Sequence, residues 1–151
     1  MIDYRALFGT LAPGTESCPS AEVLRGGRTV CVSIEMESDS VDPATLTSLY
    51  DKTSDLDSLE KRARSALVAA LNNGDASLSL YLDHHRKELG NLIASDAALV
   101  ERLVLVNVTL YPEDPQESVW LDFSIAPQDT QYVILVAFTS ELALSRIAME
   151  S

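Results

Sequence analysis

Residues 102–149 carry three or four strand patterns in close succession, RLVLVNVTLY, SVWLDFSIA, QYVILVAFT and ALSRIAM, separated by short polar breaks such as PEDPQES. Strands this close join only as an antiparallel meander, because a parallel crossover takes about a dozen residues or more. In SVWLDFSI the residues Val119, Leu121, Phe123 and Ile125 share one face, with Asp122 and Ser124 on the other. YVILVAF is apolar on both faces and reads as a central strand.

The N-terminal part has a short apolar element, Ala6 to Leu11, and a Pro, Gly and Ser-rich loop from Pro13 to Ser20. In AEVLR-GG-RTVCVSIEM, Gly26-Gly27 supplies the positive φ angles of a two-residue hairpin. Val30, Val32, Ile34 and Met36 alternate with Thr29, Cys31, Ser33 and Glu35, the mark of a sheet covered on one side. Helical spacing follows. Asp42 caps a helix with Pro43 at its first position, running from Ala44 to about Asp51. A second starts at Asp57 or Ser58 and ends at Asn73-Gly74, with Leu59, Ala63, Ala66, Leu67, Ala70 and Leu71 on one stripe. A third spans Ala76 to Leu89, with Leu78, Leu82 and Leu89 inward, Tyr81 beside them and Gly90 closing it. A helical turn runs from Asp96 to Glu101.

This order predicts a single α+β domain with two to four helices on one face of a five- to six-stranded, mainly antiparallel sheet. Residues 1–20 read as an irregular N-terminal segment, 21–36 as a hairpin, 43–101 as helical and 102–151 as the meander.

The chain has 151 residues and is 46% hydrophobic, enough for one core without staples. Cys18 and Cys31 lack the spacing of a metal pair and read as free thiols, Cys31 half-buried in its strand. MIDYRALFGTLAPG has an acid at Asp3 and no positive-then-apolar run, so no standard secretory signal is expected. No apolar run reaches the ~18–20 residues that cross a bilayer. The expected location is cytoplasmic.

Charge narrows the partners. The net charge is −12, and two stretches carry it: 35–60, with eight acids against one base, and 103–151, with seven against one. That balance disfavours nucleic acid and anionic membranes and favours a basic protein.

Candidate chemistry is sparse. His84 and His85 point about 100° apart on a helix and lack the i, i+4 spacing of a zinc helix; they read as exposed surface residues. Tyr111-Pro112-Glu113-Asp114-Pro115, with Glu117 and Asp122, reads as a stiff acidic loop or a protein-binding loop. Asp51, Asp55, Asp57 and Glu60 lack a calcium-loop spacing, and Asp55 and Asp57 suit a helix start. GxSxG, GxGxxG and phosphate-loop motifs are absent. Trp120 lies on the polar side of its strand, as a second-face core residue or an interface anchor.

The stretch LVNVTLYPED…WLDFSIAPQDTQYVILVAFTSELALSRIAMES, with the YLDHHRKEL helix and the GGRTVCVSIE hairpin arm, resembles a bacterial family known only as a domain of unknown function. Its members show a YPED-like turn, an aspartate–aromatic strand and an IxMES-like terminus. The likeness spans most of residues 21–151. Where that family has a tight glycine turn before the last strand, this chain has Thr139-Ser140-Glu141, which leaves 141–149 open to strand or partial helix. The resemblance implies no activity; its acidic members suggest immunity or accessory proteins of toxin systems.

The expected function is a non-enzymatic interaction module for a basic partner, an immunity-type inhibitor of a basic toxin being its sharpest form. Contacts come from Tyr111, Glu113, Asp114, Glu117, Trp120, Asp122, Asp55 and Asp57, with no catalytic residues, metal or cofactor. A competing reading is a small-ligand binder or enzyme using Tyr111, Glu113, Asp114, His84 and His85 in one pocket. A third is self-association along an exposed edge at Ala143–Met149.

Overall fold

A computed structural model describes residues 1–8, 19–36, 41–88, 90 and 94–151. Local chemistry sets most element boundaries. Strands β1 (Ser20–Arg25) and β2 (Arg28–Ile34) form a hairpin through Gly26 and Gly27, at φ 53° and 79°. Those two positive angles are what a right-twisted two-residue turn requires. Helix α2 (Pro43–Thr53) is capped by Asp42, whose carboxylate accepts the Ala44 N–H at 3.1 Å. Helix α3 (Leu56–Asn72) begins earlier than its sequence suggests. Asp55 is the cap, accepting from the Ser58 N–H at 3.2 Å, so that Leu56 is buried as the first helical residue. Gly74, at φ 70°, ends α3. Helix α4 (Ala76–Glu88) opens with the Asp75 carboxylate accepting the Leu78 N–H at 2.9 Å. The expected last residue of α4, Leu89, lies outside the described residues. Ser95 caps the short α5 (Asp96–Glu101).

Three further strands complete a meander from β3: β3 (Val104–Leu110), β4 (Val119–Ser124), β5 (Val133–Phe138) and β6 (Leu144–Glu150). The six strands lie in the order β1-β2-β3-β4-β5-β6. Every neighbouring pair is antiparallel except β2–β3, which is parallel and is joined through α2 to α5. The domain is therefore α+β, with the helices inserted between the hairpin and the meander. β5 is paired on both sides, by β4 and β6, as its double-sided apolar pattern requires, but it lies next to the end of the sheet and not at its centre.

Residues 144–150 settle as strand. The turn before them needs a left-handed residue and has no glycine; Leu142 takes it at φ 60°. Side chains hold that turn in place of glycine. Thr139 Oγ1 accepts the Glu141 and Ala143 N–H groups at 3.3 and 3.2 Å. Lys52 donates to the Ser140 carbonyl at 2.9 Å and Arg62 to the Leu142 carbonyl at 3.1 Å.

The core lies between the helices and one sheet face. Val32, Ile34, Val108, Leu110, Leu121, Phe123, Ile134 and Val136 are all fully buried there, against Leu59, Ala63 and Leu67 of α3 and Leu78, Tyr81 and Leu82 of α4. The N-terminal segment is less irregular than its sequence suggests. Tyr4–Phe8 form the helical turn α1, and Tyr4 stacks on Tyr50 with centroids 4.8 Å apart. The Tyr4 hydroxyl donates to the Thr53 carbonyl at 3.0 Å, and burial pushes its pKa up to about 12. The remainder of the apolar element Ala6–Leu11, and the loop from Pro13 through Cys18, fall outside the described residues.

Candidate functional site

Strand alternation puts a second set of side chains on the sheet face opposite the helices. Cross-strand pairing arranges them in two rows. One runs Glu22, Cys31, Asn107, Asp122, Leu135, Ala148. The other runs Ser20, Ser33, Thr109, Trp120, Ala137, Arg146. Leu135 and Ala137 are fully buried yet lie outside the helix-covered core cluster. The rest of the two rows is mostly polar, and Cys31 is a free, half-buried thiol.

Trp120 is the centre of this face. Its ring lies 4.7 Å from that of Tyr111, tilted by 49°. The Arg146 guanidinium sits over the same ring, 5.2 Å from its centroid, in the geometry of a cation–π contact. Arg146 is fixed from its other side by an ion pair to Glu117 and a longer one to Glu150 at 3.5 Å. Among the described residues two buried polar atoms have no hydrogen-bond partner, the Trp120 Nε1–H here and the Tyr50 hydroxyl on the helix side. An unanswered buried donor costs about 1–3 kcal/mol, so this ring position is not optimised for the stability of the isolated chain.

Asp122 is two residues along β4 on the same face. Its carboxylate accepts from Asn107 Nδ2 at 3.3 Å. Burial holds the Asp122 pKa above the ordinary 3.8; the Asn107 bond opposes that shift, and the Glu150 charge adds to it. The cause is direct: removing a carboxylate from water disfavours its charged form.

Four of the eight residues singled out in the sequence thus meet here: Tyr111, Glu117, Trp120 and Asp122. Two more are close in the chain but serve the loop between β3 and β4. The Asp114 carboxylate accepts the Gln116 and Glu117 N–H groups at 3.0 and 3.2 Å. Glu113 is exposed on that loop. Asp55 and Asp57 are elsewhere. Asp55 caps α3, and its bonds from Ser58 hold its pKa below the ordinary value. Asp57 pairs with Arg25 at the turn end of the hairpin, where a cavity of 650 Å³ is lined by Arg25, Arg28, Asp55, Glu60 and Arg64 among others. That end is level with Val104, seven residues of β3 from Tyr111, or roughly 23 Å at the usual strand rise. Asp55 and Asp57 therefore do not share a surface with Tyr111 and Glu117, although α2, from the same acidic stretch, borders the loop between β3 and β4, where Asp42, Ser48, Pro112, Pro115 and Glu141 line one cleft.

The histidines depart from their expected surface positions. His85 is buried, only 1% exposed, and His84 is half-buried. The Tyr81 carbonyl lies 2.7 Å from His85 Nδ1 and can only accept, so Nδ1 carries the proton. Nε2 is then free to accept the Thr130 hydroxyl at 3.0 Å. Burial holds the His85 pKa below 6.5; the bond to Tyr81 opposes the shift, and the neighbouring His84 adds to it. The ring is a neutral strut between α4 and the loop before β5. Tyr81, one turn earlier, accepts the Ile125 N–H through its hydroxyl at 3.0 Å. Tyr111 N donates to the Ser118 carbonyl at the opposite end of β4. The histidines and the Tyr111-Glu113-Asp114 loop are thus separated by about seven strand residues, roughly 23 Å, and do not converge on one pocket.

Among the described residues no group of three or more His, Cys, Asp and Glu is placed to hold a metal ion, and no helix is long and apolar enough to cross a membrane. Sequence reasoning missed Arg146, Asn107 and Glu150. Only Arg146 carried a signal: it is the sole base among residues 103–151. No family model, curated protein or solved structure matches the chain.

Proposed function

We propose that this chain is a cytoplasmic, non-enzymatic protein-interaction module that engages a basic partner on the helix-free face of its sheet. The observation that carries this reading is Trp120: half-exposed, central on that face, and holding a buried donor without an acceptor. Tryptophan is the residue type most enriched at binding hot spots. The acids beside it, Glu117, Asp122 and Glu150, outnumber the one base, Arg146, so the face favours cations. Steering by such a field raises the association rate and falls with salt. In its sharpest form the partner is a basic toxin whose active site meets these carboxylates in place of phosphate, which suits the resemblance to the bacterial family with the YPED-like turn. The enzyme reading needs the histidines and the 111–114 loop together, and their separation counts against it.

Trp120 is the only tryptophan, so its fluorescence reports this face alone. The test is a titration with basic proteins, beginning with the product of the adjacent gene, at low and high salt. The expected result is a change in Trp120 emission, weaker binding at high salt, and loss of binding in Trp120→Ala. Binding that leaves the emission unchanged, or is independent of salt, overturns the reading.

A further inference from the structure

We infer that the chain pairs with a second copy of itself through the edge strand β6, extending two six-stranded sheets into one. β6 ends the sheet, and among the described residues its only strand partner is β5. Its outer backbone N–H and C=O groups are therefore open to another strand. The usual defences of an edge are proline, lysine, a bulge or a short length. β6 has seven residues, LSRIAME, with neither proline nor lysine; its one irregularity is a bulge at Ser145, near its start, and Arg146 to Glu150 continue in regular register. Leu144 is half exposed there.

The side chains identify the occupant. Arg146 and Glu150 lie on the same sheet face, four residues apart. In an antiparallel pairing about a two-fold axis normal to the sheet, residues of one face meet residues of the same face. Centred on Ile147, that pairing sets Arg146 diagonal to Glu150 of the second copy; centred on Ala148, it sets them directly opposite. Both registers form the opposite-charge contact twice by symmetry; the Ala148-centred one keeps like charges apart, whereas the Ile147-centred one also sets Arg146 diagonal to its own copy, so the charges favour the former. Opposite-charge cross-strand pairs are favourable, and like pairs are not. Inside one chain Arg146 holds Glu150 only at 3.5 Å, its closer partner being Glu117, so the Glu150 contact is free to be exchanged for one across the seam. The other edge lacks this property. On β1 the charges Glu22 and Arg25 fall on opposite faces, and Arg25 is committed to Asp57 and Glu60.

The inference does not depend on the basic partner. Sedimentation velocity over a concentration series is expected to show twice the chain mass at the upper end. Arg146→Glu and Glu150→Arg should each weaken association by about tenfold or more, since each replaces two attractions with two repulsions. Mixed in equal amounts, the two variants are complementary, and native mass spectrometry should show the mixed pair. Hydrogen exchange on the unaltered protein gives a reading that needs no variant: β6 amides should exchange more slowly at high concentration than at low. A one-chain mass throughout, variants that associate as tightly as the parent, no mixed pair from two folded variants, or concentration-independent exchange in β6 would each overturn the pairing.

Discussion

The two faces of one sheet have opposite character although the same strands build both. Toward the helices, Val108, Leu110, Leu121 and Phe123 are fully buried; toward the other side, Asn107, Thr109, Trp120 and Asp122 are half-buried at alternating positions of the same two strands. Burial displaces titratable groups on both sides, Tyr4, Tyr50, Tyr81 and His85 among the helices and Asp122 on the far face, and each is pushed toward neutrality. His85 has both ring nitrogens answered, whereas Trp120, beside Asp122, has a donor with nothing to give to. Among the described residues each side leaves one buried polar atom without a partner, the Tyr50 hydroxyl on the helix side and Trp120 Nε1 on the far side, so the two faces differ in burial and polarity and not in unsatisfied groups.

The sharpest way to break this contrast is by truncation. Phe123→Ala should cost about 3–5 kcal/mol, because it leaves a cavity under the helices. Thr109→Ala, on the far face, should stay within about 1 kcal/mol. Urea denaturation measures both, and equal losses would erase the distinction.

The next effect is the dependence on acid. The folded pKa of His85 lies below its ordinary 6.5, so its contribution is complete above that value and is lost as pH falls through the folded pKa. Stability should fall on acidification below about pH 6.5, and the part due to this ring should vanish in His85→Gln. A parent and variant with the same pH profile would show that the ring is not held neutral.

Asp122 has the opposite sign. Its raised pKa gives a contribution that is full below 3.8 and lost as pH rises through the folded value. Asp122→Asn should therefore be more stable than the parent at neutral pH, with the advantage shrinking toward pH 4. The smallest effect is expected at the turn end of the hairpin. Asp57 is largely exposed beside Arg25, and Asp57→Ala should cost less than about 1 kcal/mol, by an amount that shrinks with added salt.

Periodicity made most of the architecture legible. Gly26-Gly27, Asp42 with Pro43, and the doubly apolar β5 each stated their structure because local chemistry and tertiary packing agree there. The start of α3 was ambiguous because Asp55, Asp57 and Ser58 all make good caps; burial of Leu56 decides among them. His85 was readable in principle. It lies seven residues after Leu78 and three after Leu82, on the inward stripe of α4, and polarity argued it outward when spacing argued it inward. The parallel β2–β3 seam left no local mark, because a parallel register depends on residues far apart in the chain. For the same reason nothing local showed that Asp55 and Asp57 stand at the opposite end of β3 from Tyr111 and Glu117.

That seam also bears on how the chain reaches its native state. Ser33 and Thr109 meet across it although 76 residues separate them, whereas β3 to β6 close through short hairpins. Loop-closure entropy makes distant pairings the slow ones. The meander and the N-terminal hairpin are each local enough to be expected to assemble first, with their docking along β2 and β3 as the slow step, which stopped-flow refolding with probes on each part would test.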